Sequence, residues 1–370
     1  MTANPLRALH ALGQSVWLDD IRRAWLVDGT LARLIAGDGV RGVTSNPAIF
    51  EKAIAQHQDY DAAIAAAVRR GLDAEAIYEE LVLEDIGRAA ELLRPVHEQS
   101  RGGDGFVSIE VSPHIAHDTR RTVEEAQRLW ELIGRPNVMI KVPATDAGLP
   151  AIRRLIAMGV NVNVTLLFGV VRYRAVLEAC LAGLEDRARE GLRLDGPASV
   201  ASFFLSRIDT LVDKRLDALG TGMARDLRGQ AAIACARLAF QTYKELIASA
   251  RWQTLATHGA HPQRLLWAST STKDPAYSDI KYVEALIGPD TVNTLPVETL
   301  NAYRDHGEPV VRIEHGLDAA RTLPGRLVAL GVDFDEVALQ LEAEGTLKFA
   351  QSFDRLSASL ARRRSDMRPP

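Results

Sequence analysis

Cysteine is nearly absent from this chain of 370 residues, which contains only Cys180 and Cys235. Both lie in segments with helical periodicity, so we expect two buried, reduced thiols and a cytoplasmic protein. The chain has no run of about 18 consecutive apolar residues and no charged and then apolar leader, so we expect neither a membrane-spanning helix nor a secretory signal. A net charge of −4 disfavours nucleic acids and membrane surfaces as partners.

Motifs that bind nucleotides or metals are also missing. The sequence contains no GxxxxGKS or GxxxxGKT loop, and none of its nine histidines forms an HExxH or HxH pair. His114 and His117 lie three residues apart in a loop-like segment, but no cysteine or third ligand stands near them. We therefore expect no metal site and no cofactor.

Short apolar runs alternate with helical patterns along the chain. The runs are rich in Val, Ile, Leu and Phe without strict polar alternation, which is typical of parallel strands covered on both faces. Between them, an apolar stripe that starts at Ile77 predicts a helix ending at Pro95, Asp118 caps a helix that Gly134 ends, and a long helix is predicted over 225–249. The predicted strands are 16–20, 42–46, 106–111, 138–142, 162–167, 199–206, 265–269 and 291–295.

This alternation predicts an α/β fold, a closed (β/α)8 TIM barrel with extra N-terminal and C-terminal helices. A doubly wound open sheet is the alternative, but it usually carries a glycine-rich phosphate loop directly after its first strand, and none follows 16–20. No low-complexity linker divides the chain, so we predict one domain over 1–370. One or two further helices at about 333–362 exceed what a barrel needs and are predicted to fold over the barrel or its mouth.

Lysine is scarce, with seven in the chain, and only Lys141 interrupts a run that otherwise predicts a fully buried strand. Burial disfavours a charged ammonium, and an uncharged lysine amine can attack a carbonyl to form a Schiff base. The same pattern also fits a lysine at a strand end whose stem reaches solvent. The local sequence leaves both interpretations open.

Polar residues collect at the carboxyl ends of the predicted strands, where TIM barrels carry their chemistry. Single residues have structural alternatives: Asn46 precedes a proline and suits a turn, and Asn163 and Thr165 could be hydrogen-bonded core residues. Their convergence nevertheless predicts a site in which carboxylates serve Lys141 as acid and base and basic side chains bind a phosphate. The set is Asp19, Asp20, Thr44, Ser45, Asn46, Glu110, Lys141, Asn163, Thr165, Ser202, Arg207, Ser269 and Lys273.

The same strand ends carry short motifs in a fixed order. Gly42-Val-Thr-Ser-Asn-Pro47 and Asn161-Val-Asn-Val-Thr-Leu-Leu-Phe168 are the most specific of them. The others are Val16-Trp-Leu-Asp19, Val107-Ser-Ile-Glu-Val111, Val138-Met-Ile-Lys-Val-Pro143, Ser202-Phe-Phe-Leu-Ser-Arg207, Trp267-Ala-Ser-Thr270, Thr291-Val-Asn-Thr-Leu-Pro296 and Glu344-Gly-Thr-Leu-Lys-Phe-Ala350. Over nearly its whole length the chain resembles the transaldolase family, in particular its longer bacterial members.

The resemblance implies a class I, Schiff-base transferase of the pentose phosphate pathway. Such an enzyme moves a dihydroxyacetone unit from sedoheptulose 7-phosphate to glyceraldehyde 3-phosphate. The resemblance implies that Lys141 forms the Schiff base and that Asp19 is the acid and base for carbon–carbon cleavage. Glu110 and Thr165 would act on the carbinolamine through a bound water. Asn46, Asn163 and Ser202 would hold the dihydroxyacetone hydroxyls, and Arg207 would bind the phosphate.

One departure from the family concerns the second phosphate ligand. Shorter relatives carry an arginine just after the Ala-Ser of the seventh strand, whereas this chain reads Ala268-Ser-Thr-Ser-Thr-Lys273. We expect Lys273 to replace that arginine, with Ser269 as a further donor. The alternative function is that of fructose-6-phosphate aldolase, a lyase of the same family that releases free dihydroxyacetone. That enzyme is much shorter and typically has glutamine where this chain has Glu110, so the resemblance favours transaldolase. The oligomeric state stays open.

Overall fold

Eight parallel strands form the centre of the protein in a computed structural model that describes residues 4–366. Each strand pairs with the next in chain order, and the last pairs with the first, which closes a barrel. The predicted (β/α)8 fold is therefore confirmed. The strands are β1 Gln14–Leu18, β2 Gly42–Thr44, β3 Phe106–Glu110, β4 Val138–Pro143, β5 Val162–Leu167, β6 Ser199–Phe204, β7 Arg264–Ala268 and β8 Thr291–Leu295.

The predicted strand bounds agree with the structure to within two residues. The ranges 162–167 and 291–295 match β5 and β8 at both ends. Five predicted strands extend too far at their carboxyl ends, where the chain leaves the barrel, and three of the five do so by two residues. Asp19 and Asp20 follow β1, Asn46 caps a helix after β2, and Leu205 already begins a helix after β6.

Helices cover the outside of the barrel and both of its ends. They are α1 Pro5–Ala11, α2 Arg23–Val27, α3 Thr30–Arg33, α4 Pro47–Gln56, α5 Asp61–Arg69, α6 Ala74–Gln99, α7 Thr119–Ile133, α8 Gly148–Met158, α9 Val170–Arg189, α10 Leu205–Leu219, α11 Gly222–Arg225, α12 Ala231–Ile247, α13 Ala250–Thr257, α14 Lys281–Ala285, α15 Val297–His306, α16 Leu317–Ala329 and α17 Phe334–Asp366. A π-helical turn spans Leu34–Asp38, and a 3-10 turn spans Pro113–Ile115.

Two helix predictions were wrong. The helix α6 continues through Pro95 to Gln99. Pro95 is exposed, so water can solvate the carbonyl that its ring deprives of a donor. The predicted helix over 225–249 begins only at Ala231, because the preceding turn places Gly229 at a φ of 68°, in the left-handed region. The predicted helix start at Asp118 and its end at Gly134 are confirmed.

One helix of 33 residues, α17, ends the described chain and confirms the predicted C-terminal helix. Its buried residues recur at helical spacing, which gives it a single apolar face. That face packs on α4, α6, α10 and β5. The helix thus crosses the barrel at the carboxyl ends of the strands. The buried face comprises Val337, Leu341, Gly345, Phe349, Ser352, Leu356 and Leu360.

A polar cluster closes the opposite, amino end of the barrel. The indole of Trp17 donates to one oxygen of Asp104 over 2.8 Å, and Arg41 donates to the other over 2.8 Å. Gly42 lies against the indole, and a Cβ there would stand 2.4 Å from Trp17 Cδ2.

Three glycines at or before the first residue of β2 have the GxGxxG spacing of a nucleotide-binding loop, namely Gly37, Gly39 and Gly42. They lead into β2, whereas the glycines of a nucleotide-binding loop follow a strand and open a helix.

Cys180 in α9 and Cys235 in α12 are buried free thiols, as predicted. Within residues 4–366, no helix is both long enough and apolar enough to cross a bilayer.

Candidate active site

Strand register brings three of the predicted site residues side by side. Glu110 on β3 pairs with Lys141 on β4, and Lys141 pairs with Asn163 on β5. Because residues paired between parallel strands face the same way, all three side chains belong to one layer inside the barrel. The layer lies near the carboxyl ends of the strands, the end at which TIM barrels carry their chemistry.

Lys141 is a buried lysine with two oxygen neighbours. The residue is only 4% exposed, so its stem does not carry the amine out to solvent. Its Nζ donates to the backbone carbonyl of Ser45 over 2.9 Å and lies 3.7 Å from Oε2 of Glu110. The carbonyl and the carboxylate together position the amine and offset the cost of burying its charge. The structure thus favours the buried-lysine interpretation over the solvent-reaching one.

Glu110 has an unusual pKa for a carboxyl group. Burial raises the pKa from 4.5 to about 7, and the charge of Lys141 opposes part of that rise. Among the described residues, Oε2 of Glu110 has no hydrogen-bond partner. A carboxyl that titrates near neutrality and has a free oxygen is suited to both accept and donate a proton beside an amine.

Asp19 supplies a second carboxylate from the other side of the barrel. Its backbone amide donates to Leu295 of β8, and Thr44 donates its hydroxyl to Oδ1 over 2.7 Å. Thr44 also contacts the hydroxyl of Thr294 over 2.7 Å. Burial raises the pKa of Asp19 above its usual range, although the charge of Lys141 and the Thr44 hydrogen bond oppose the rise.

A hydrogen-bonded series of polar residues lines the neighbouring strands. Ser202 on β6 donates to Oδ1 of Asn163 over 2.7 Å, and the amide of Asn163 donates to the Ser108 hydroxyl over 3.0 Å. Ser45 in turn donates its hydroxyl to the carbonyl of Ser108. The series holds the Asn163 amide in one orientation beside Lys141. Sequence reasoning missed Ser108, although it lies two residues before Glu110 on β3 and therefore faces the same side of the sheet.

Thr165 and Asn46 complete the upper part of the site. Thr165 is fully buried, and in the described part of the chain its hydroxyl has no partner. A buried hydroxyl without a hydrogen-bond partner destabilises the fold, so the Thr165 hydroxyl is a candidate to bind a ligand. Asn46 caps α4, with its side-chain oxygen accepting from the amide of Ile49 over 3.0 Å. Asn46 therefore has the structural role of a helix cap, and no acceptor within residues 4–366 takes a hydrogen bond from its NH2 group.

Arg207 stands in the first turn of α10, directly after β6. Burial lowers the pKa of its guanidinium, and the charges of Glu110, Glu344 and Asp19 oppose that shift. Over residues 4–366 its Nη1 atom is buried without a hydrogen-bond partner. A guanidinium with free donors is the group that binds a phosphate best.

Ser269 and Lys273 follow β7 and occupy different surroundings. Ser269 adopts a φ of 53°, which is rare for serine, and its hydroxyl contacts that of Ser206 over 2.8 Å. Ser206 directly precedes Arg207, so Ser269 lies beside the predicted phosphate ligand. Lys273 donates to Ser271 over 2.6 Å and lines a separate cavity of about 280 Å³ with acidic residues of α10. The structure does not bring Lys273 together with Lys141.

Of the two histidines considered as metal ligands, His114 has other contacts and His117 is exposed. His114 lies 2.8 Å from Asp354 of α17 and packs edge-on against Phe353. Within residues 4–366, no group of three or more His, Cys, Asp or Glu residues is arranged to hold a metal ion.

Comparisons with known proteins agree with this geometry. The family model described as transaldolase/fructose-6-phosphate aldolase matches residues 16–360. Transaldolase 2 of Nostoc sp. is 50% identical over 371 aligned residues that cover 97% of either chain. The transaldolase of Thiobacillus denitrificans is 48% identical over 96% of this chain and 99% of its own, and that of Thermobifida fusca is 50% identical over 95% and 96%. The chain belongs to the transaldolase/fructose-6-phosphate aldolase family.

Proposed function

We propose that this protein is a transaldolase that transfers a dihydroxyacetone unit from sedoheptulose 7-phosphate to glyceraldehyde 3-phosphate. The observation that carries the proposal is the buried amine of Lys141, which lies 3.7 Å from a carboxyl group whose pKa is about 7. A lysine next to a group that can take up and return its proton is equipped for Schiff-base chemistry. We also propose the cytoplasm as its location, in keeping with its two free thiols.

Schiff-base formation begins when the uncharged amine of Lys141 attacks the ketose carbonyl carbon. The carbonyl oxygen becomes the hydroxyl of a carbinolamine, and Glu110 in its acid form protonates that hydroxyl so that it leaves as water. The product is a protonated imine on Lys141. Thr165, with its buried and unpartnered hydroxyl, is suited to hold the water that leaves and later returns.

Carbon–carbon cleavage is assigned to Asp19. Its carboxylate takes the proton from the hydroxyl on the carbon to be released, the adjacent bond breaks, and the bonding electrons move into the imine to give an enamine. The first aldose phosphate departs, and the enamine carbon attacks the aldehyde of the second. Asp19 then returns the proton to the new hydroxyl, and hydrolysis of the imine frees fructose 6-phosphate.

The remaining residues bind and orient the substrate. The hydrogen-bonded Asn163 and Ser202, together with the NH2 group of Asn46, are proposed to hold the dihydroxyacetone hydroxyls. Arg207 and Ser269 are proposed to bind the phosphate. Lys273 is proposed only as a more distant positive charge, since it lines a cavity away from Lys141.

The alternative is an aldolase that releases free dihydroxyacetone, because the family description covers both activities. Two observations favour the transferase. The relatives named above are called transaldolases, and they match nearly the full length of this chain. Glu110 also stands where the lyase typically has glutamine. Release of dihydroxyacetone from fructose 6-phosphate without any aldehyde acceptor would support the lyase instead.

Borohydride trapping tests the proposal directly. The enzyme is incubated with fructose 6-phosphate, reduced with borohydride and digested, and its peptides are mapped by mass spectrometry. We expect a dihydroxyacetone-derived adduct on Lys141, and erythrose 4-phosphate as acceptor should prevent its accumulation. The matched control is Lys348→Ala, since Lys348 is an exposed lysine of α17. Absence of an adduct on every lysine, with substrate shown to bind, would refute the Schiff-base mechanism.

The Lys141→Ala variant completes this test. We expect it to lose turnover and the adduct but to keep a cooperative thermal transition, because one buried charge is removed and its partner Glu110 can become neutral. Retained turnover would exclude Lys141 as the nucleophile.

A further inference from the structure

The guanidinium of Arg207 lies against two aromatic rings from different parts of the chain. Its Cζ atom is 5.4 Å from the ring centre of Phe204, at the end of β6, and 5.9 Å from that of Phe349, on α17. Both distances fall within the range of cation–π attraction. The two rings also contact one another, with their centres 6.5 Å apart at an interplanar angle of 62°.

Aromatic faces hold this cation without occupying its donors. Within residues 4–366, Glu110, Glu344 and Asp19 act on Arg207 through their charge but do not hydrogen-bond to it, and its Nη1 is buried and unpartnered. A carboxylate would compete with a phosphate for the N–H groups, whereas a ring attracts the charge and leaves those groups free. The two rings therefore fix the direction of the side chain and leave its binding capacity intact.

Gly345 brings α17 close enough for this contact. A Cβ at position 345 would lie 2.8 Å from Cδ2 of Leu166 and 3.4 Å from Nη1 of Arg207. Leu166 itself has a φ of 60° at an irregularity of β5, next to Thr165. Phe349 stands one helical turn beyond Gly345 on the same buried face. The approach of the helix thus sets the distance between Phe349 and Arg207.

We propose that Phe349 is a positioning residue, which holds Arg207 in the orientation that binds the substrate phosphate. The inference rests on the proposed function and deepens it: the C-terminal helix contributes to substrate selection through Arg207, although Phe349 itself touches no reacting atom. The consequence is specific to phosphorylated sugars. Dihydroxyacetone, which lacks a phosphate, should react with Lys141 independently of Phe349.

The test compares Phe349→Leu, which keeps apolar volume but removes the ring, with Phe349→Tyr, which keeps the ring. For each variant we would measure KM and kcat for fructose 6-phosphate, the inhibition constant of inorganic phosphate, and borohydride trapping of dihydroxyacetone on Lys141. Phe353→Leu is the matched control, since Phe353 lies on the same helix but packs against Tyr78 and His114. Thermal unfolding is recorded for all variants.

We expect Phe349→Leu to raise KM and the phosphate inhibition constant together, by roughly 3- to 30-fold, from the usual range of cation–π energies. Its kcat and its dihydroxyacetone trapping should stay near wild type, as should every parameter of Phe349→Tyr and Phe353→Leu. A folded Phe349→Leu enzyme with unchanged phosphate affinity would overturn the inference, as would an equal loss in Phe349→Tyr. Failure of the Schiff-base mechanism would look different, because wild-type Lys141 would then trap no dihydroxyacetone. A lyase would instead be identified by release of dihydroxyacetone from fructose 6-phosphate without an acceptor.

Discussion

Lys141 and Glu110 are register partners on adjacent strands, and the amine of one lies 3.7 Å from the carboxyl oxygen of the other. The separation is that of a charge pair rather than a hydrogen bond. The stronger contact of the amine is with the carbonyl of Ser45, at 2.9 Å. The carboxyl group therefore stays free to exchange a proton with a water or a carbinolamine hydroxyl. Glu110 is therefore placed to serve the Schiff base itself, and Asp19 is the carboxylate assigned to bond cleavage.

Glu110→Gln should slow the formation and the hydrolysis of the Schiff base without removing the nucleophile. Glutamine keeps the shape of the side chain but cannot donate or accept the proton, and general acid–base catalysis typically contributes about 10²- to 10⁴-fold. Rapid-quench borohydride trapping measures both steps as the appearance and the decay of the Lys141 adduct.

Glu124→Gln serves as the control for this experiment, because Glu124 is 59% exposed on α7 and, within the described part of the chain, pairs only with Arg120. It should leave both rates unchanged. Wild-type rates of formation and hydrolysis in Glu110→Gln would contradict the role assigned to Glu110.

Asp19→Asn should separate Schiff-base formation from bond cleavage. Asparagine can still accept the Thr44 hydrogen bond, but it cannot take the proton that cleavage releases, so transfer should fall by about 10²- to 10⁴-fold. With fructose 6-phosphate, the trapped adduct should then carry the whole hexose phosphate instead of the dihydroxyacetone unit. Peptide mass mapping distinguishes the two. A dihydroxyacetone-derived adduct formed at the wild-type rate would rule out Asp19 as the base.

Much of this fold could be predicted from the apolar pattern. The eight strands follow from runs that are buried on both faces, and β5 and β8 were predicted at both ends. The errors cluster where β1, β2 and β6 end, because the apolar pattern does not mark where strand pairing stops. The predicted strands there include Asp19 and Asp20, Ser45 and Asn46, and Leu205 and Ser206, which follow the strands. Pro95 shows a second limit of prediction from local sequence. The tertiary packing of α6 outweighs a proline that was predicted to end the helix.

The site was harder to predict where its contacts use backbone atoms or distant segments. The main partner of Lys141 is the carbonyl of Ser45, which no side-chain pattern reveals. The contact of Thr44 with Thr294 exists only because β8 closes the barrel against β1. Phe349 reaches Arg207 from a helix whose position over the mouth depends on Gly345. Each of these contacts follows from barrel closure and helix packing, which a one-dimensional pattern does not contain.

Asp20→Asn should change how stability depends on pH. Burial raises the pKa of Asp20 from 3.8 to about 6, so between these values the folded chain holds a proton that the unfolded chain has released. The free energy of unfolding therefore falls as pH rises from about 4 to about 6, and the loss is complete at pH 7. The variant lacks this titration. Between pH 4 and pH 7 its free energy of unfolding should therefore rise, relative to that of wild type, by about 1 to 3 kcal/mol.

Urea unfolding of both proteins at pH 4, 5, 6 and 7 measures this difference. Glu110 titrates in the same window, but it is present in both proteins and cancels in the comparison. Asp318→Asn is the control, since the side chain of Asp318 is 98% exposed. A constant difference in unfolding free energy between Asp20→Asn and wild type across this range would contradict the prediction.

Asp104→Ala should destabilise the protein without affecting the chemistry of the molecules that remain folded. Asp104 is 3% exposed and accepts hydrogen bonds from Ser15, Trp17 and Arg41 at the amino end of the barrel. Its removal leaves the buried indole N–H of Trp17 and the partly buried guanidinium of Arg41, whose side chain is 20% exposed, without their acceptor. Such a loss typically costs about 1–3 kcal/mol per group. Asp59→Ala is the matched control, because Asp59 pairs with Arg22 where both side chains are partly exposed, at 22% and 30%, and should contribute less than about 1 kcal/mol.

Urea unfolding would measure the stability of each variant, and steady-state kinetics at low temperature would measure the activity of its folded fraction. Since Lys141 lies toward the other end of the strands, KM for fructose 6-phosphate and kcat per folded molecule should stay near wild type in Asp104→Ala. If the unfolding free energy falls no further than in Asp59→Ala, the cluster around Asp104 does not stabilise the barrel. If KM rises while stability is kept, the amino end of the barrel must be coupled to the site, and the separation of stability from chemistry that TIM barrels usually have would not hold for this protein.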